Sequence, residues 1–212
     1  RRPDPTSRAW KEINLTALQH NAQVLQARAG DGCALMAVLK ADAYGHGAVI
    51  CARALQRAGI KAFAVACLSE AITLRKAGIR GVILVLGYTP PSQAALLHRW
   101  RITQSLVDAS YAALLSAQNK RLHVHLALDT GMHRLGIAAE DMQAITAIYQ
   151  LPNLQVDGIF SHLCVSDSLL EEDVAFTQRQ QASFNGAVQA LKDAGITPGT
   201  PHLLASSGLI NL

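Results

Sequence analysis

Short apolar runs alternate with longer stretches of helical period almost without interruption from residue 34 onward. The runs at 34–39, 62–68, 82–86, 102–107, 122–128, 156–162 and 202–205 read as seven strands. Between them the 3.6-residue spacing predicts helices near 47–58, 69–77, 91–100, 109–119, 139–149 and 169–194. A further amphipathic stretch at 15–29 precedes the first strand. Ala-Gly-Ile recurs at 58–60, 77–79 and 194–196, each time where a helical pattern stops, and glycine there suits the left-handed residue that closes a helix. Runs such as Ala-Leu-Met-Ala-Val-Leu lack in/out alternation, which indicates burial on both faces of a parallel sheet. A doubly wound sheet and a barrel both satisfy this pattern. With no Pro/Gly/Ser-rich linker interrupting the series, one domain is expected.

Composition narrows the class. The 212 residues are 50% hydrophobic and 16% charged, ample for a packed core. No run reaches the roughly 18 apolar residues of a membrane helix, so no membrane segment is expected. The opening residues 1–10 lack the apolar stretch of a secretory signal, which makes a cytoplasmic setting the default expectation. Nineteen basic against fifteen acidic residues give +4, dispersed along the chain and not gathered into a basic block, which argues against nucleic acid as a partner. The four cysteines, Cys33, Cys51, Cys67 and Cys164, form no C-x-x-C, and three lie in apolar runs; they read as buried free thiols.

Chemistry concentrates where parallel strands end, the place where ligands meet such sheets in either architecture. Lys40 follows one strand directly, Asp129 another, His162 closes a third, and Ser206 and Ser207 follow the last. A strand-end lysine often does no more than snorkel into solvent. Lys40, however, opens Lys40-Ala-Asp-Ala-Tyr-Gly-His-Gly47, in which two glycines permit close backbone approach and Tyr44 offers a hydroxyl to an anion. An amine in partly apolar surroundings loses proton affinity and becomes a nucleophile for a carbonyl, so a Schiff base is the chemistry suggested. The glycines do not form a dinucleotide fingerprint, since no third glycine follows. His123 and His125 share a strand face at a spacing that metal ligands use, but no companion ligand stands near them, and no metal is expected. Arg134, five residues beyond Asp129, is either a surface charge or a fork for a carboxylate. His162 is either a satisfied core histidine or a site residue.

At these residues the chain resembles the pyridoxal-phosphate alanine racemase family. The likeness runs through Arg8-Ala-Trp-Lys-Glu-Ile-Asn14, Ala37-Val-Leu-Lys-Ala-Asp-Ala-Tyr-Gly-His-Gly47, Ser69-Glu-Ala-Ile-Thr-Leu-Arg-Lys-Ala-Gly78 and Ile83-Leu-Val-Leu-Gly87. It continues through Asp129-Thr-Gly-Met-His-Arg-Leu-Gly136 and Gly158-Ile-Phe-Ser-His162 to Ala205-Ser-Ser207. The lysine segment is the most specific. Within the family the wording is closest to the alanine/serine racemase domains of glycopeptide-resistance racemases.

The resemblance implies a (β/α)8 TIM-type barrel, an isomerase acting on a small amino acid, alanine or serine, and pyridoxal 5'-phosphate as cofactor. It implies that Lys40 holds the cofactor and moves the substrate α-proton on one face. Tyr44 and Ser207 would bind the phosphate, Ser206 would be a further cofactor-binding residue, His162 would lie beside the cofactor ring, and Arg134 would hold the phenolic oxygen or the substrate carboxylate. A homodimer is implied too, because the family's second base reaches the site from the partner subunit. A non-catalytic pyridoxal-phosphate barrel, and a barrel for some other phosphorylated ligand, are the alternatives.

Two positions depart from the pattern. Ala127 stands where many relatives carry a carbamylated lysine behind the arginine, and Ser206 stands where they usually have asparagine. Seven strands against the family's eight imply that residues 1–212 are the cofactor-binding barrel domain without its eighth strand and C-terminal β-domain. Residues 8–13, of strand character, would pair with that β-domain, leaving Trp10 exposed.

Overall fold

The structure is a computed structural model and describes residue 6 and residues 8–211. Helix α1 (Leu15–Ala29) leads into β1 (Met36–Val38), and a short left-handed element, α2 (Lys40–Tyr44), follows before α3 (Ala48–Arg57). Strand–helix pairs then repeat: β2 (Ala62–Val65) with α4 (Leu68–Lys76), β3 (Val82–Val85) with α5 (Ala94–Trp100), and β4 (Thr103–Leu106) with α6 (Ala109–Ser116). Strand β5 (Leu122–Asp129) is followed by a two-residue strand, β6 (Ile137–Ala138), and by α7 (Met142–Tyr149). Strand β7 (Leu154–Phe160) precedes the long α8 (Glu171–Asp193), and β8 (Thr200–His202) precedes α9 (Ser206–Asn211).

Spatial order decides between the two architectures left open by the hydrophobic pattern. All pairings are parallel, and neighbours run β1-β2-β3-β4-β5-β7-β8, with β6 hydrogen-bonded to β5 alone. A doubly wound sheet reverses direction at a switch point. Monotonic order is barrel winding, and these strands form a curled, open barrel of seven. Among the described residues, β1 and β8 each have one side without a strand partner.

The core lies between sheet and helices. Phe63, Val65, Ile83 and Val85 on one face of β2 and β3 pack with Leu55, Leu74 and Leu97 from the helices, and Leu122, Val124, Leu126 and Leu128 do the same on β5. Because side chains alternate along a strand, the intervening positions turn into the barrel. On β4, β5 and β7 those inward positions are polar: Thr103, Ser105, His123, His125 and Asp157.

The predicted elements shift at their ends for identifiable reasons. Strand β8 begins at Thr200, earlier than the predicted 202, and contains Pro201, which the ladder tolerates because β8 lies at an edge. Strand β7 begins at Leu154, where Gln155 and Asp157 mask the apolar run; Val124 faces Val156 but His125 faces Gly158, so Asp157 is a bulge. The predicted helix at 91–100 is a 3₁₀ turn, Pro91–Gln93, running into α5. Residues 8–13 form no strand in the structure, and Trp10 is 59% exposed. The thiols are all free, but only Cys51 is buried; Cys33 is exposed and Cys67 and Cys164 are half-buried, so burial was over-read from their apolar neighbours. No described helix is long and apolar enough to cross a membrane.

Candidate active site

Lys40 stands at the carboxyl end of β1, and the backbone after it does something rare. Ala41, Asp42, Ala43 and Tyr44 all have φ between 52° and 54°, a left-handed coil that costs roughly 1–2 kcal/mol per non-glycine residue. Local bonds hold it. Ala43 N–H donates to Leu39 C=O at 2.9 Å and Gly45 N–H to Ala41 C=O at 2.9 Å. Asp42 Oδ1 accepts from Ala48 N–H at 2.7 Å, at the start of α3. Lys11 donates to Gly45 C=O.

Glu70, in the first turn of α4, supplies the long-range tie. One carboxylate oxygen accepts Ala41 N–H at 2.8 Å and the other accepts Ala66 N–H at 2.8 Å, clamping the left-handed turn to the end of β2. The turn points Tyr44 outward with an exposed ring, 5.9 Å below the Lys40 ammonium. Among the described residues Lys40 makes no hydrogen bond or ion pair, so its amine is free to react.

Arg134 and His162 reach the same rim from β5 and β7. Burial lowers the proton affinity of His162, and the positive charges of Arg134 and then Lys40 lower it further, so the three side chains share one field. The acid preceding Arg134 is not its partner. Asp129 accepts the N–H groups of Gly131 and His133 at 2.9 Å each, and the His133 ring also lies 2.9 Å away. Burial alone would raise this carboxyl, but those bonds outweigh it and hold it below the usual carboxylate range. Asp129 therefore shapes the loop that carries Arg134, and the rim is left with cations and hydroxyls.

Ala127 is buried on β5 and registers with Phe160 of β7, whose ring stacks on His202 at 4.9 Å. Hydrocarbon and aromatic surface thus surround position 127. Ser206 and Ser207 do not continue a strand; they open α9, with three residues between it and the end of β8. Ser207 Oγ lies 3.0 Å from Ser166 Oγ, and Asn211 donates to Ser166 C=O at 2.9 Å, which ties α9 to the loop after β7. The structure thus gathers Lys40, Tyr44, Arg134 and His162 at the strand ends, while the serines stand at the end of β8 without a described contact to Lys40.

The two strand histidines have other occupations. His123 Nδ1 pairs with Asp157, which Gln155 also contacts at 2.8 Å. His125 Nδ1 lies 2.9 Å from His202 Nε2, inside the barrel. A Cβ on Gly158 would come 2.7 Å from the His125 ring, so glycine makes room for it. Burial lowers His125 to about 4, against a small upward push from Asp157. Burial, and then the neighbouring His125, lower His202 to about 3. Both rings are neutral at physiological pH. Sequence reading missed this pair, Glu70 and the buried Gln180 of α8; each works across strands or helices, where no local spacing announces it.

The profile of the alanine racemase N-terminal domain matches residues 13–212. The chain is similar to an amino-acid racemase of Enterococcus faecalis, at 44% identity over 98% of this chain and 29% of that protein. It is also similar to a serine/alanine racemase of Enterococcus gallinarum, at 42% identity over 98% of this chain and 30% of that one. Among solved structures it superposes on the alanine racemase of Clostridium difficile 630 in complex with cycloserine, with a TM-score of 0.90 and 29% identity over 97% of this chain and 57% of the other. The chain therefore spans less than a third of those two relatives and just over half of that solved chain.

Proposed function

Given that the chain belongs to the alanine racemase N-terminal domain family, we propose that it is the cofactor-binding barrel of a pyridoxal-phosphate-dependent racemase of small amino acids, with Lys40 as its reactive amine. The observation that carries this reading is the Lys40 rim: an amine with no hydrogen bond or ion pair among the described residues, on a clamped left-handed turn and sharing one field with Arg134 and His162. That donor set fits an anionic, aldehyde-bearing cofactor, because the rim offers a nucleophile, a guanidinium and hydroxyls.

Pyridoxal 5'-phosphate, when bound, supplies an electron sink that makes a Cα–H bond acidic. Lys40 Nζ then anchors the cofactor and moves the proton at the substrate Cα on its own face. Tyr44, Ser206 and Ser207 would offer hydroxyls to the cofactor, Tyr44 and Ser207 to its phosphate. Arg134 holds an anionic oxygen of cofactor or substrate in a planar fork. His162, whose proton affinity burial and its cationic neighbours lower, would lie beside the cofactor ring.

The names of the relatives support alanine and serine as substrates. The open sides of β1 and β8 support a further strand that closes the barrel. A homodimer in which the partner supplies the opposite-face base is part of the same reading, supported by exposed apolar side chains near the rim such as Tyr44, Leu135 and Leu169. Four free thiols support a reducing, cytoplasmic setting.

The test is racemisation by the full-length protein loaded with cofactor, followed on L-alanine and L-serine by chiral chromatography. The expected result is D-product from one or both, abolished by Lys40→Ala. A protein that binds the cofactor covalently yet leaves both amino acids unchanged in configuration would instead be a carrier.

A further inference from the structure

We propose that Gln180 of α8 is a positioning residue that fixes the Arg134 loop and the His162 loop at one separation. Its activity consequence rests on the racemase reading above; its structural consequence does not.

A glutamine in the middle of a long helix is ordinarily exposed, yet this one is 1% exposed. Burying an amide is costly unless both of its ends are bonded, and here they are, to different loops. Gln180 Oε1 accepts Cys164 N–H at 2.9 Å, and Nε2 donates to His162 C=O at 3.3 Å. The same Nε2 lies 3.4 Å from Thr130 Oγ1, which is itself 2.8 Å from Ser161 Oγ. One side chain thus touches the backbone on either side of Leu163, immediately after His162, and the loop that begins four residues before Arg134.

A second contact from the same face of α8 supports the first. Phe176, one turn earlier, packs on Gly131, where a Cβ would lie 3.2 Å from its ring and φ is +126°. The Arg179 guanidinium lies 5.5 Å from the centre of that ring. Phe176 therefore seats the Arg134 loop against α8, and Gln180 bonds it to the loop after β7. A leucine at position 180 would fill the space equally well; only a side chain with an acceptor and a donor bridges the two loops. Gln180 touches neither substrate nor cofactor in this arrangement. It acts through Arg134 and His162, whose spacing must be held within a fraction of an ångström, since misplacement by about 1 Å costs on the order of 100-fold in rate.

The decisive experiment compares Gln180→Met, which keeps length and apolar volume but removes both bonds, with Thr177→Val. Thr177 is buried three residues earlier on the same helix, and among the described residues its hydroxyl has no hydrogen-bond partner. The first readout is the His162 imidazole titration by NMR on the cofactor-free protein. Wild type should titrate below an ordinary histidine, chiefly because the ring is partly buried and then because the charges of Arg134 and Lys40 face it. In Gln180→Met it should move up toward the ordinary value, and the Cys164 amide should exchange faster with solvent. Thr177→Val should change neither. With cofactor, Gln180→Met should lose on the order of 100-fold in kcat with a much smaller change in KM.

A folded Gln180→Met with unchanged His162 titration and unchanged Cys164 exchange would overturn the proposal, as would an equal shift in Thr177→Val. If Gln180→Met does not fold, Thr130→Val, which breaks the bridge from the other loop, should move His162 in the same direction, and no movement overturns the proposal. Absence of racemisation in every form, with the titration shift intact, would remove the racemase reading and leave the positioning role standing.

Discussion

Among single residues, Arg134 and the histidine pair make the sharpest demands. On the proposed reading Arg134 is a planar fork whose loop must hold still, and Asp129 organises that loop through three contacts to residues 131 and 133. Arg134→Lys should therefore cost more activity than cofactor retention, because a point ammonium cannot reproduce two parallel donors. Steady-state rates against cofactor affinity measure this, and equal loss of both would make Arg134 part of the scaffold. His125 and His202 are predicted to make stability depend on acidity. Their folded-state proton affinities lie below those of the unfolded chain, so lowering pH favours unfolding: stability is full above about 6.5 and is lost as pH falls toward 4. Urea unfolding between pH 7 and 4 should show this decline, and a His125→Gln/His202→Gln double variant should show a shallower one. Equal slopes would contradict the buried neutral pair.

Between elements, the left-handed turn of α2 is the feature on which the site depends. Four consecutive non-glycine residues with positive φ persist because bonds from three directions over-determine them: α4 through Glu70, α3 through Asp42, and the segment before α1 through Lys11. Glu70→Ala removes two charge-assisted acceptors and should destabilise the fold by about 2–4 kcal/mol, with lower cofactor affinity as the turn relaxes. Denaturant midpoints check the first effect, and unchanged stability would mean that the coil holds itself. A parallel clamp sits at the opposite end of the barrel, where the Arg75 guanidinium donates to the carbonyls of Ile79, Gly81, Trp100 and Arg101. The strands and helices were legible in the sequence because burial on one or two faces leaves a period. So was the concentration of chemistry at the strand ends, since Lys40, Asp129 and His162 each follow an apolar run directly. The handedness of residues 41–44 was not legible, because alanine and aspartate give no local sign of positive φ and the bonds that impose it come from residue 70. Gln180 was hidden for a related reason: a polar residue in an amphipathic helix reads as the solvated face.

For the whole molecule, strand order equals chain order, and that is why one rim collects what distant segments contribute. Lys40, Arg134 and His162 come from β1, β5 and β7, and monotonic parallel winding brings every carboxyl end to the same side. The match over residues 13–212 and the superposition on a solved alanine racemase agree with the fold. Inside the barrel, beneath that rim, His125 pairs with His202 and His123 with Asp157. The central claim is that Lys40 is the amine that takes the cofactor. Incubating the full-length protein with pyridoxal 5'-phosphate, reducing with borohydride and mapping the label by peptide mass spectrometry tests it most directly. The account predicts that the label falls on the peptide containing Lys40 and disappears in Lys40→Ala, and labelling of another lysine with Lys40 left unmodified would contradict it.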